Sequence, residues 1–186
     1  MSTHAKEGKA EPGKYPDREA ALKLLRDAGV DDAVVAHCMA VSELALKMAD
    51  KCKKHVDRDL VEAGGLLHDI GRSATHGMAH AVEGAKIAKK LGLPSEIVNI
   101  IERHIGAGLT EEDAVRLGLP KKSYIPVTLE EKMIAHADNM LSGAKRIPVS
   151  ETIGKLVRKR ETDGAKRMLE LQKELSALCG MDVDQV

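Results

Sequence analysis

Apolar residues recur every three or four positions along most of this chain, which is the spacing of one buried face on an α-helix. A clear example is the stripe formed by Val34, Cys38, Val41, Ala45, Met48 and Cys52. No segment of useful length shows the alternation of apolar and polar residues that is typical of a half-buried β-strand. The pattern therefore predicts an all-α domain.

Glycine and proline divide this pattern into separate helical segments. A first helix is expected from Asp17, and Gly71 and Gly92 end two of the later ones. The last helix is expected to be interrupted near Gly164 and capped by Gly180. After the first, the predicted helices cover approximately residues 31–52, 58–70, 78–91, 94–105, 111–117, 129–141 and 151–179.

The domain organisation follows from the same pattern. At 186 residues the chain has the length of one domain. Residues 1–16 are polar and contain two prolines, so they are predicted to form a disordered leader. Residues 17–148 form the predicted main domain, and residues 149–186 are expected to be a helical extension that packs on the same domain.

Charge and composition limit the partners. Lys plus Arg and Asp plus Glu both number 29, so no single-sign field covers the molecule, and nucleic acid is disfavoured as a partner. Phe and Trp are absent, which removes most stacking platforms for bases. The chain lacks both a secretory signal and an 18-residue apolar run, so we expect a cytoplasmic protein without membrane contact. The three cysteines follow no CxxC spacing and are predicted to be buried thiols.

Six ionisable side chains occupy positions where the helical periodicity calls for apolar residues. A single histidine on an apolar face is more commonly a hydrogen-bonded core residue than a ligand. Six such groups, however, would each cost several kcal/mol (order of magnitude) if they were buried without partners. They are therefore expected to converge on a shared cation. These residues are His37, His68, Asp69, His80, His104 and Asp138.

Imidazole nitrogens and carboxylate oxygens are the ligands of divalent metals, and an all-nitrogen-and-oxygen set disfavours thiolate-selecting ions. His68 and Asp69 are adjacent at a helix end, where both can reach one ion. Because a carboxylate has two oxygens, Asp69 can also bridge two ions. The expected cofactor is therefore one or two ions of Mn, Fe, Ni, Co, Zn or Mg, with the identity left open.

The order His37, then His68-Asp69-Ile70-Gly71, then Asp138 resembles the H…HD…D pattern of the HD superfamily of metal-dependent phosphohydrolases, in its HDIG-containing subgroup. The resemblance spans approximately residues 31–142. It implies a compact helical bundle with the metal site at its centre.

Two further histidines, His80 and His104, resemble the additional ligands of the binuclear members of that superfamily. The likeness implies that one ion is held by His37, His68, Asp69 and Asp138. The second ion would be held by Asp69, His80 and His104.

Differences from known subgroups of the HD superfamily narrow the range of expected activities. The paired His-His and Gly-Tyr-Pro signature of the HD-GYP cyclic-di-GMP phosphodiesterases does not follow His104, and HDIGRSA replaces the HDTVEDT of guanosine tetraphosphate hydrolases. The chain is also shorter than the deoxynucleotide triphosphohydrolases. The extra histidines are arranged as in the symmetrical diadenosine tetraphosphate hydrolases, although the segment from Asp69 to His80 is shorter. The nucleotide substrate stays open.

The resemblance implies a phosphohydrolase or phosphodiesterase that attacks a nucleotide or small phosphate ester through a metal-bound hydroxide. The expected catalytic residues are Asp69, Arg72 and His76. Arg72 can fork onto a phosphate, and His76 in the same loop can protonate the leaving oxygen. Arg72, Arg103 and Lys145 are the expected substrate-binding residues.

Two other functions remain open at this point. HD-fold oxygenases that resemble inositol oxygenase use a similar set of histidines and aspartates around two irons. Alternatively, the chain is a non-catalytic, metal-stabilised helical module whose tail from Glu151 mediates self-association or binds a partner. A homodimer is left open.

Overall fold

The computed structural model describes residues 13–186, and this part of the chain is α-helical apart from one short hairpin. The predicted all-α class is confirmed. The helices are α1 (Arg18–Asp27), α2 (Asp32–Lys51), α3 (Arg58–Leu67), α4 (His80–Lys90), α5 (Ser95–Arg103), α6 (Glu111–Arg116), α7 (Leu129–Asn139), α8 (Val149–Arg158) and α9 (Thr162–Cys179). The hairpin pairs β1 (Leu141–Ser142) with β2 (Lys145–Arg146), and 3-10 turns cover Ile70–Ser73 and Val183–Gln185.

Short polar side chains fix where five of the nine α-helices in the described residues begin. In each case the side chain accepts a hydrogen bond from the backbone N–H three residues later, which satisfies a donor that the helix itself leaves free. The sequence therefore determines these helix starts locally. The capping residues are Asp17, Asp31, Asp57, Thr110 and Thr128.

Helix α3 lies at the centre of the core, against α1, α2, α5 and α7. Its two glycines permit the close crossings that their position in a helix suggested. A Cβ on Gly65 would lie 2.7 Å from Ser42 Cα on α2, and a Cβ on Gly64 would lie 2.5 Å from Ile100 Cδ1 on α5. Because α2 and α3 approach so closely, the C-terminal end of α3 lies beside the inner face of α2.

The 3-10 turn after α3 packs directly on the start of α4. A Cβ added to Gly71 would lie 1.9 Å from the His80 carbonyl oxygen and 2.5 Å from Gly84 N. Only a residue without a side chain fits this contact. Gly71 thus brings the start of α4 next to the end of α3.

The C-terminal helices belong to the same core. Met168, Leu171 and Leu175 of α9 are buried, and α9 packs on α7. The predicted break in this region occurs just before Glu161, where Arg160 has a φ of 63°, rather than at Gly164. None of the helices within residues 13–186 is both long enough and apolar enough to cross a membrane.

A disulfide joins Cys52, at the end of α2, to Cys179, at the end of α9. The prediction that all three cysteines are thiols is wrong for this pair, and Cys38 is the free, buried thiol of the described residues. The two partners are 127 positions apart in sequence. Their proximity depends on how α9 returns to α2, which no local pattern reveals.

The N-terminal boundary also differs from the prediction. Of the predicted leader, residues 1–12 lie outside the described residues. Tyr15 is buried, and Lys14 Nζ lies 2.7 Å from Glu96 Oε1. The folded part therefore begins before Asp17, because the Tyr15 ring contributes to the core.

The Gly71 contact generates a stability prediction. Replacing Gly71 with Ala should lower the free energy of unfolding by about 1–3 kcal/mol, because the methyl group overlaps backbone atoms of α4. The matched control is Gly77→Ala in the same loop, where a Cβ would meet only Thr75 Oγ1 at 3.6 Å. Urea unfolding monitored by circular dichroism measures both variants, and equal stabilities would contradict the packing described here.

Candidate metal centre

The six predicted metal ligands meet at one interior point of the bundle. They come from five elements: α2, the end of α3 and the turn after it, the first residue of α4, the residue after α5, and the last turn of α7. Within two overlapping groups, one nitrogen or oxygen per residue lies within 4.8 Å of the others. The groups are His37, His68 and Asp138, and His68, Asp69 and His104.

The imidazoles are oriented by backbone carbonyls. In His68, His80 and His104, Nδ1–H donates to a carbonyl three residues earlier, each at 2.8 Å. In His37, Nδ1–H donates to the Gly143 carbonyl at 2.9 Å. Because Nδ1 carries the hydrogen in this arrangement, Nε2 of each neutral ring presents its lone pair to the centre.

On one side of the centre, two imidazoles face each other across a carboxylate. His80 Nε2 lies 3.0 Å from His104 Nε2. Asp69 Oδ1 lies 3.1 Å from the first of these nitrogens and 3.4 Å from the second. With both Nδ1 atoms protonated, three electron-rich atoms converge, and this is stable only with a proton or a cation between them.

On the other side, His37 Nε2 lies 2.9 Å from Asp138 Oδ1. His68 Nε2 is fully buried and has no hydrogen-bond partner among the described residues. It lies 3.8 Å from Asp69 Oδ2 and 3.9 Å from Asp138 Oδ1. A buried nitrogen lone pair that accepts no hydrogen bond is available to a metal ion, so the donor set fits a divalent ion.

The pKa shifts of these groups keep both carboxylates of the centre ionised. Burial lowers the pKa of His68 to about 4, so this ring is neutral at physiological pH. Burial alone would raise the pKa of Asp69 and of Asp138, but the surrounding imidazoles, chiefly His68 for Asp69 and His37 for Asp138, hold both pKa values below their ordinary range. Both carboxylates are therefore ionised.

His37 behaves differently from His68. Burial lowers its pKa, but the hydrogen bond to Asp138 more than offsets this and raises the pKa of His37 to about 9. In the protein without a metal, His37 is therefore a cation that neutralises Asp138.

Arg72 contacts the centre through Asp69. Its Nε lies 3.2 Å from both oxygens of that carboxylate, and one Nη donates to the His76 carbonyl at 2.7 Å. The guanidinium therefore supplies positive charge beside Asp69.

A surface depression of about 350 Å³ opens onto this centre. The side chain of His76 is exposed at its edge, whereas His68, His80 and His104 lie beneath it and are buried. The predicted catalytic residues thus share one opening. The depression is lined by Ala33, Val34, His37, Asp69, Arg72, His76, Asp138 and Gly143.

The structure does not bring Arg103 and Lys145, two of the predicted substrate-binding residues, to this depression. Arg103 Nη1 lies 3.0 Å from both carboxylate oxygens of Glu131, which is itself buried. Lys145 is exposed on β2 and does not line the opening. Arg103 is next to His104, but adjacent helical positions point about 100° apart. Lys145 follows the helix of Asp138, but it lies on the exposed second strand of the hairpin.

Sequence analysis missed the backbone carbonyls that orient the rings. For three histidines the acceptor lies three residues earlier, so helical geometry could have identified it. Gly143, by contrast, is 106 positions from His37. No local signal marks a carbonyl that acts at that distance.

The HD domain family model matches residues 34–143 of this chain. This interval contains all six candidate ligands. The HD domain of the L. monocytogenes phosphodiesterase PgpH, solved in complex with cyclic-di-AMP, has a similar fold. The TM-score is 0.52 at 20% identity, with 84% of this chain and 93% of that chain covered.

Several curated relatives are similar in sequence. The tRNA (cytidine(56)-2'-O)-methyltransferase of Picrophilus torridus is 45% identical over 174 residues, which cover 93% of this chain and 50% of that protein. An uncharacterized protein of Methanocaldococcus jannaschii is 47% identical over 165 residues, which cover 86% of this chain and 97% of that protein. Ribonuclease Y of Acidothermus cellulolyticus is 35% identical over 120 residues, which cover 58% of this chain and 24% of that protein.

The chain spans about half the length of the methyltransferase relatives, so the activity in their name does not follow for this chain. The family match, in contrast, covers more than half of the chain and includes the whole candidate centre. The chain therefore belongs to the HD domain family.

Proposed function

We propose that this protein is a metal-dependent phosphohydrolase that cleaves a phosphodiester or phosphoanhydride bond in a nucleotide. The observation that carries the proposal is the meeting of four imidazole nitrogens and two carboxylates at one buried point. These groups include the opposed nitrogens of His80 and His104 and the His68 nitrogen, which has no hydrogen-bond partner within residues 13–186. Membership of the HD domain family supports the chemistry.

The geometry favours two ions over one. Asp69 Oδ1 faces His80 and His104, while Asp69 Oδ2 lies 3.8 Å from His68 Nε2 and 3.9 Å from His37 Nε2. The two oxygens thus serve different neighbours, as a bridging carboxylate does. We therefore assign His37, His68, Asp69 and Asp138 to one ion and Asp69, His80 and His104 to the other.

The donor set also bears on which metal binds. Mg²⁺ prefers oxygen ligands and retains several waters, whereas imidazole suits transition metals such as Fe, Ni and Zn. Four imidazoles therefore favour a transition metal over Mg²⁺. When bound, such an ion supplies a Lewis acid that activates water near neutral pH and offsets charge on phosphate oxygens.

The chain's own residues position and protonate the substrate. Arg72 lies beside Asp69 and lines the opening, where its remaining Nη–H groups can donate to a phosphate oxygen. His76 is exposed at the same edge and can donate a proton to the departing oxygen. The buried histidines lie beneath the opening, so they exclude water from the far side of the centre.

The relatives favour a phosphodiester as the substrate. The similar PgpH structure is of a phosphodiesterase bound to cyclic-di-AMP, and ribonuclease Y is by name an enzyme that acts on RNA. A nucleotide or cyclic dinucleotide is the first candidate. Single-stranded RNA is the second, although the chain's zero net charge disfavoured nucleic acid.

A substrate panel with matched variants tests the function. The protein, loaded in turn with Mn²⁺, Co²⁺, Ni²⁺, Fe²⁺ or Mg²⁺, should hydrolyse at least one of cyclic-di-AMP, a short RNA or a nucleotide ester. His68→Gln and Asp69→Asn should each reduce kcat/KM by about 100-fold or more, because each removes a ligand. His55→Gln is the control, since His55 is exposed outside the centre.

Retained hydrolysis in both ligand variants would contradict the assignment. Oxygen consumption by the iron-loaded protein without release of any phosphate product would instead favour the oxygenase chemistry.

Metal binding should release protons. Because the pKa of His37 is about 9 without a metal, an ion that binds its Nε2 at pH 7.5 must displace that proton, in addition to any proton held between His80 and His104. Affinity should therefore rise between pH 7 and pH 9 and level off above that range. Calorimetric titration with Zn²⁺ in two buffers of different ionisation enthalpy measures the release.

The variant His37→Gln should release about one proton fewer than the wild type, since it lacks the group that deprotonates. Identical heats in the two buffers for the wild-type protein would show that His37 is not a ligand.

A further inference from the structure

We infer that Arg146 is a positioning residue for His37, acting through the β1–β2 hairpin. The inference rests on the proposed metal centre for its consequence, but the contacts that carry it are independent of any ion. Arg146 fastens the hairpin to the C-terminal turn, and the Gly143 carbonyl in that hairpin fixes the His37 ring.

His37 is held differently from the other three histidines. His68, His80 and His104 each donate to a carbonyl three residues earlier, so their orientation follows from the local backbone. The Nδ1–H of His37 instead donates to Gly143, which lies between the two strands of the hairpin. The direction of His37 Nε2 therefore depends on where the hairpin lies.

The outer part of the hairpin has little packing of its own, whereas its base is held by Leu141, which packs on the core, and by the buried Met140 and Ile147 on either side. The hairpin consists of two paired positions, Leu141 with Arg146 and Ser142 with Lys145, and residues 142–146 are exposed. A two-stranded ribbon of this size is marginally stable in water. A cavity of about 410 Å³ lies next to it, lined by Met140 and Arg146 on the hairpin side and by Leu169 and Gln172 of α9.

Arg146 attaches the outer part of the hairpin to the C-terminal turn. One of its Nη atoms donates to the Asp184 carbonyl at 2.7 Å, and the other donates to the Val186 carbonyl. The planar guanidinium thus spans two acceptors of the C-terminal turn, a geometry that a lysine cannot reproduce.

The C-terminal turn is itself firmly anchored. The Asp184 carboxylate lies 2.8 Å from Nε2 of the buried His136 on α7, and it accepts a hydrogen bond from Gln172 Nε2 on α9 at 2.6 Å. Val183 is fully buried. A fixed support therefore extends from α7 and α9 through Arg146 to the hairpin.

These contacts form a continuous path from the C-terminal turn to a candidate ligand. Loss of Arg146 frees β2 from the turn, which allows the Gly143 carbonyl to move away from Nδ1 of His37. Partners that orient metal-binding histidines are worth roughly 10- to 100-fold in metal affinity. The effect should be confined to His37, because the other rings have local acceptors.

The experiment compares Arg146→Gln with Arg158→Gln in the full chain. Arg158 is exposed at the end of α8, so its variant loses the same charge without touching the hairpin. The first readout is the NMR resonance of each histidine Nδ1–H in the metal-free protein. The second is the affinity for Zn²⁺ by calorimetry.

We expect the Nδ1–H signal of His37 to broaden or disappear in Arg146→Gln, while those of His68 and His104 persist. Zn²⁺ affinity should fall by about 10-fold or more. Arg158→Gln should match the wild type in both readouts. Arg146→Lys keeps the charge and can reach one carbonyl, so it should give a His37 signal and a Zn²⁺ affinity between those of Arg146→Gln and the wild type. If Arg146→Gln does not fold, the comparison of Arg146→Lys with the wild type tests the inference.

An unchanged His37 signal in folded Arg146→Gln and Arg146→Lys would overturn the inference. So would equal loss of all the histidine signals, which indicates general destabilisation. If the His37 signal alone is lost but the wild-type protein binds no Zn²⁺, the positioning role stands and the proposed metal function fails.

Discussion

The metal centre depends on one electrostatic constraint: the nitrogen and oxygen atoms that converge in the buried centre need positive charge between them. Four imidazole nitrogens and two carboxylates cannot be held a few ångströms apart in a helical core without positive charge between them. His37 and Arg72 supply part of that charge in the protein without an ion. The opposed nitrogens of His80 and His104 still need a proton or a cation between them, and the buried nitrogen of His68 has no hydrogen-bond partner among the described residues.

The packing of the hydrophobic core brings together the five elements that carry these side chains. Gly65 lets α3 touch the backbone of α2, and Gly71 lets the following turn touch α4. These two contacts bring His37, Asp69 and His80 within reach of one another. Core packing and the metal centre are therefore linked in this fold, because the glycines that allow close helix packing also bring the candidate ligands together.

Much of this arrangement could be predicted from the sequence, because it rests on periodicity. An ionisable side chain at an apolar position of a helix is expected to face the core, which identified His37, His104 and Asp138 without any structure. Contacts between distant segments could not be predicted. The disulfide of Cys52 and the Gly143 carbonyl that holds His37 depend on how remote parts of the chain pack. Arg103 was misassigned for the same reason, since its partner on α7 is distant in sequence.

Anomalous diffraction from a crystal of the Zn²⁺-loaded protein tests the central claim most directly. The account predicts two peaks inside the bundle, one on each side of Asp69, with Nε2 atoms of His37 and His68 near one peak and those of His80 and His104 near the other. Each nitrogen should lie about 2.0–2.2 Å from its ion. Zinc bound only at the surface, with the six side chains arranged as they are without it, would contradict the account.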